Sequence, residues 1–71
     1  MFREAISDQL RQVERQVIEG ERRLAACEAR IVELKRGGHD TTEAQAELEV
    51  MRKDQRALEQ DRQRLLGHLQ P

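Results

Sequence analysis

Aromatic residues are almost missing from this chain, which has one phenylalanine, Phe2, and neither Trp nor Tyr among 71 residues. Without them, and with few β-branched residues, a sheet core has little to be built from. The single cysteine, Cys27, excludes an internal disulfide and a thiolate zinc knuckle. Glycine and proline number only four and one, with Gly37-Gly38 in mid-chain and Pro71 at the tail. No apolar run approaches the ~18 residues of a membrane span, and no basic n-region with an apolar h-region opens the sequence. Neither sign of charge is in excess: 13 basic residues stand against 14 acidic ones, for a net charge of −1. Global charge therefore directs the chain toward neither nucleic acid nor an anionic membrane.

What is abundant is charge and helix formers. Charged residues make up 38% of the chain and the mean hydropathy is −0.90, with Glu, Arg, Gln, Leu and Ala prominent. The apolar residues are ordered. Ile6, Leu10, Val13, Val17, Gly20, Leu24, Cys27, Ile31 and Leu34 alternate in steps of four and three, and all but Gly20 are apolar. Ala44, Leu48, Met51, Gln55, Leu58, Arg62, Leu65 and Leu69 repeat the pattern, broken only by Gln55 and Arg62. This 3.5-residue period is the coiled-coil signature. It predicts one helix over 3–36, a turn over 37–40 and a second helix over 41–67, within a single domain 1–71.

The turn carries its own punctuation. Gly37 or Gly38 suits the left-handed residue that ends a helix, and Lys35 and Arg36 suit the negative end of its dipole. Asp40 and Glu43 have capping-box spacing, with His39 as a solvated loop residue. The repeat also changes phase here: continuing the first register would place Thr41, Gln45 and Leu48 in the seam, not Ala44, Leu48 and Met51. The chain is therefore expected to turn back as an all-α, antiparallel two-helix coiled-coil hairpin. Folded that way, facing seam residues such as Leu34 and Ala44, Cys27 and Met51, or Gly20 and Leu58 have numbers that sum to 78 or 79 throughout. Three flanking pairs then match in sign: Arg30 with Glu47, Arg23 with Asp54, and Glu28 with Arg52. Glu21 against Glu59 is the one repulsive pair, and Arg62 is within reach of Glu14 or Glu21.

The hairpin seam is thus Leu10, Val13, Val17, Leu24, Cys27, Ile31, Leu34, Leu48, Met51, Leu58, Leu65 and Leu69. One seam is thin for a chain of this length. Further apolar residues lie off it: Ile18, Ala25 and Val32 at spacings of seven on the first helix, and Val50, Ala57 and Leu66 on the second. These are the candidate interface of a homodimer, two hairpins forming a four-helix bundle. A monomeric hairpin or an unidentified protein partner are the alternatives.

Candidate chemistry is sparse. His39-Asp40 has no nucleophile beside it, His39 and His68 fall at opposite ends, and no Glu-x-x-His pair is present. Cys27 reads as a small seam hydrophobe. Gln55 and Arg62 read as polar devices that fix register. The cations of the second helix, Arg52, Lys53, Arg56, Arg62 and Arg64, are interleaved with acids, with no aromatic to stack a base. No catalytic, cofactor or metal residue is assigned, nucleic acid and membrane are not expected partners, and the expected role is a non-enzymatic interaction or structural module.

Glu19-Gly20-Glu21-Arg22, the turn Gly38-His39-Asp40-Thr41 with Glu43-Ala44, and Asp61-Arg62-x-Arg64-Leu65 resemble a group of very short, uncharacterised alphaproteobacterial proteins, frequent in rhizobia. The resemblance covers roughly Val13 to Leu66 and implies a bacterial, cytoplasmic protein but no activity. Arg36-Gly37, in place of an acidic residue before Gly38, and Cys27 depart from that pattern. The tip is also similar to Gre-type transcript-cleavage factors, whose antiparallel coiled coil ends in acidic residues three apart, as Asp40 and Glu43 are. That likeness implies an alternative role as a transcription-complex modulator acting through the tip, and a nucleic-acid-associated modulator acting through the Arg-rich second helix is the other form of this alternative.

Overall fold

Two helices and one turn make up the structure, a computed structural model that describes residues 2–70. Met1 and Pro71 of the expected domain lie outside the described residues. Helix α1 runs Phe2–Arg36 and helix α2 runs Thr42–Leu69, each within two residues of the expected bounds. They pack against each other along their length as a hairpin 55 × 14 × 14 Å in extent, and the described residues contain no strand.

Burial follows the 3.5-residue period. Ile6, Val17, Cys27 and Ile31 of α1 and Ala44, Leu48, Gln55 and Leu65 of α2 are buried. Leu10, Val13, Leu24 and Leu34, with Met51, Leu58 and Leu69, are half-buried. In heptad letters, Leu10, Val17, Leu24 and Ile31 occupy position a and Val13, Gly20, Cys27 and Leu34 position d. The narrow seam follows from helices that meet along one stripe each.

The turn closes α1 with a Schellman arrangement. The His39 N–H donates to the Leu34 carbonyl at 2.9 Å and the Gly38 N–H to the Lys35 carbonyl at 3.1 Å. Gly38 takes the left-handed conformation, φ 73°, that such a cap requires. Of the two glycines equally eligible by sequence, Gly38 is the left-handed one. At Gly37 a Cβ would lie 2.7 Å from the His39 ring, an exposed side chain free to turn aside.

α2 begins one residue later than the capping-box spacing predicts. Thr41 is the N-cap, its carbonyl accepting the first intrahelical bond from the Gln45 N–H at 2.8 Å. Its hydroxyl does not cap the backbone; it accepts a hydrogen bond from Gln45 Nε2 at 3.0 Å. Asp40 caps from just outside, and Glu43 makes no reciprocal bond among the described residues. Neither bond of a capping box is therefore made; the Asp40 carboxylate engages Thr42 in place of the Glu43 N–H.

Candidate functional site

The hairpin presents three surfaces: its turn and two long grooves, one on each side of the seam. At the turn, Asp40 Oδ1 accepts from the Thr42 hydroxyl at 2.7 Å and from the Thr42 N–H at 3.0 Å. The hydroxyl bond, followed by the backbone bond, holds the Asp40 carboxyl below its ordinary value of 3.8. One of its two oxygens is thus committed to the helix start. Glu43, His39, Gly37 and Gly38 are exposed around it. Among the described residues, no three His, Cys, Asp or Glu side chains gather into a group that could hold a metal ion.

The seam layers identify the two grooves. One is bordered by Glu28, Val32 and Lys35 from α1 and by Gln45, Glu49 and Arg52 from α2. The other is bordered by Gln16, Glu19 and Arg23 from α1 and by Asp54, Ala57 and Asp61 from α2. The six residues set aside as interface candidates divide between them. Ile18 and Ala25 repeat Val32 at intervals of seven, and Leu66 repeats Arg52 at twice that interval, so these four belong to the first side. Val50 repeats Ala57 and belongs with it on the second. A single flat contact cannot cover both sets. Ile18, Val32 and Val50 are 52%, 48% and 59% exposed, Ala25 and Ala57 are exposed, and Leu66 is half-buried.

Electrostatics differ from the interhelical pairing read off the sequence. Arg30 Nη1 meets Glu47 Oε2 at 3.3 Å across the seam. Arg23 turns to Glu19 on its own helix at 3.9 Å and Arg52 to Glu49 at 3.5 Å, so neither the Arg23–Asp54 nor the Glu28–Arg52 pair forms. Both local partners lie one turn away on the same helix, and exposed pairs of either kind are worth only a few tenths of a kcal/mol. Arg62 reaches neither Glu14 nor Glu21 within salt-bridge distance; its Nε is buried and lacks a hydrogen-bond partner.

One contact was not foreseen. Gln55 lies buried in the seam and donates from Nε2 to the Val17 carbonyl at 2.8 Å. The space for this is at Gly20, where a Cβ would lie 2.9 Å from Gln55 Cδ and closer still to Oε1. In a helix the side chain at i+3 partly shields the carbonyl of residue i. Glycine at position 20 leaves that of Val17 open. The expected layer of Gly20 against Leu58 is therefore occupied at Gly20 by the Gln55 amide. A polar a position one layer from a mid-helix glycine was the available signal. Cys27, by contrast, sits buried as an apolar seam residue, its Sγ donating weakly to the Ala44 carbonyl at 3.6 Å.

No helix is long and apolar enough to cross a membrane among the described residues. No protein-family model matches the chain, and neither a curated protein nor a solved structure matches it.

Proposed function

We propose that this chain is a non-enzymatic protein–protein interaction module that works as a homodimer, two hairpins forming a four-helix bundle. The observation that carries this reading is the stripe of Ile18, Ala25 and Val32 along α1, with both larger side chains about half exposed. A lone seam also leaves no large side chain fully buried among the described residues, so a further apolar contact adds what the hairpin lacks. Residence in the cytoplasm belongs to the same proposal, as does kinship with the short alphaproteobacterial hairpins that share the Gly38-His39-Asp40-Thr41 turn. The tip-based reading as a transcription-complex modulator has less support, because an oxygen of Asp40 is already engaged by Thr42.

Replacing Ile18 and Val32 by lysine tests the proposal. Both positions are outside the seam, so the helices are expected to form with lower stability while self-association, followed by light scattering after size exclusion, is lost. Unchanged self-association would show that α1's stripe is not the interface.

A further inference from the structure

Self-association through α1 admits two orientations, with the turns at one end or at opposite ends, and the charges beside the stripe distinguish them. On the helix surface, Ile18, Ala25 and Val32 are bounded on one side by Glu14, Glu21 and Glu28 and on the other by Arg15 and Arg22. All five charged residues are exposed, and none forms a salt bridge among the described residues. Other cations of the same helix are engaged: Arg23 with Glu19, Arg30 with Glu47 and Arg36 with Glu33. An acidic rail and a basic rail thus run unpaired along the two sides of one apolar stripe.

Resting on the homodimer reading, we propose that the two hairpins pair in parallel, α1 alongside α1 of a second copy, with both turns at the same end. The reason is symmetry. A two-fold axis parallel to the helices sets each flank of one helix against the opposite flank of its mate. Glu14 then meets the second copy's Arg15, and Glu21 meets the second copy's Arg22, each pair occurring twice. Ile18, Ala25 and Val32 stack on their own counterparts. Lys35 beside the second copy's Arg36 is the like-charge layer, and Arg36 already holds Glu33 at 3.1 Å. Arg11 follows the stripe toward the termini and ends the apolar run.

A two-fold axis across the helices does the reverse and sets each flank against the same flank. Centred on Ala25, it brings Glu21 to the second copy's Glu28 and Arg15 to the second copy's Arg36. Only Glu14 with Lys35 is then attractive. Sliding the helices so that Ile18 meets Ala25 brings Glu21 against Glu21 and Arg22 against Arg22. Charge complementarity therefore favours the parallel arrangement, which places two copies of the Gly37–Asp40 turn side by side and leaves the grooves beside Ala57 outermost.

The test is a distance. A spin label is attached to Asp8→Cys in a Cys27→Ala background, and the label pair is measured by electron paramagnetic resonance. Packed helices lie ~8–10 Å apart, so the parallel dimer places the labels within roughly 20 Å. An antiparallel dimer centred on Ala25 separates them by about 50 Å, from the ~1.5 Å rise per residue. A distance near 50 Å would overturn the orientation and leave the homodimer reading intact. A chain that is monomeric throughout would overturn both. Glu21→Arg gives a second readout with opposite signs. It is expected to weaken a parallel dimer roughly tenfold and strengthen an antiparallel one. Adding Arg22→Glu is expected to restore the parallel dimer, and failure to do so would count against it.

Discussion

Around Cys27, Ile31, Ala44 and Leu48, apolar side chains from both helices close on one another, with Leu24, Leu34 and Met51 at the rim. Toward the termini the same seam carries Gly20, the buried amide of Gln55 and the half-buried Arg62, with Val17 buried among these interruptions and Leu65 and Ile6 buried beyond them. The period of the repeat is identical in the two halves. What differs is that the half next to the turn is held by apolar packing and the loop that joins it, while the half next to the termini adds to its apolar contacts a buried polar contact of fixed geometry, Gln55 on the Val17 carbonyl. The first kind of contact stabilises; the second discriminates between registers, because sliding one helix along the other would bury the Gln55 amide without Val17.

Substitutions sharpen that contrast, beginning with the largest. Leu48→Ala removes a side chain only 7% exposed from the apolar cluster and is expected to cost about 2–4 kcal/mol in urea unfolding followed by circular dichroism. Arg62→Leu is expected to act with the opposite sign, raising stability by about 1–2 kcal/mol, because it removes a buried unpaired Nε–H and extends the apolar seam. A loss on Arg62→Leu would mean that the terminal half needs its arginine. Gly20→Ala is expected to destabilise by about 1 kcal/mol despite alanine's better helix propensity, since it dislodges Gln55 from Val17. Gly67→Ala, with nothing within 4 Å of the added Cβ, is expected to stabilise by roughly 0.5–1 kcal/mol. In a Gln55→Ala background, Gly20→Ala should turn stabilising; if it does not, the two residues are not coupled. Glu47→Ala, which opens the exposed pair with Arg30, is expected to cost under about 0.5 kcal/mol and less at high salt.

The smallest effect expected is that of pH at the turn. The Asp40 carboxyl is held below 3.8 in the folded chain, so its cap contributes fully above the unfolded value and is lost as pH falls through the lower folded value. Acid titration of stability should show a small loss in that window, and Asp40→Asn should abolish it.

Much of this architecture was legible in the sequence, for a physical reason. The seam and the turn depend on periodicity and on backbone chemistry close in the chain, so Val17, Cys27, Leu48 and the Gly37-Gly38 break could be read directly. Asp40 was recognisable as a cap, though its exact partner atoms were not, because helix starts shift by one residue at little cost. The charge pairs were less legible. Arg23 and Arg52 have local and cross-seam partners of similar worth, and spacing alone does not rank them. Gln55 with Gly20 went unread because each was matched to the residue directly opposite, whereas a glutamine reaches along the seam. The grouping of Ile18, Ala25 and Val32 apart from Val50 and Ala57 needed the two helices placed side by side.

Self-association is the claim on which the functional reading depends, and sedimentation equilibrium of the full chain tests it most directly, with circular dichroism of the same samples. Between roughly 1 and 100 μM, the expected result is a rise in mass from 8.3 kDa toward twice that value. A fully helical chain that remains at 8.3 kDa across the range would contradict it.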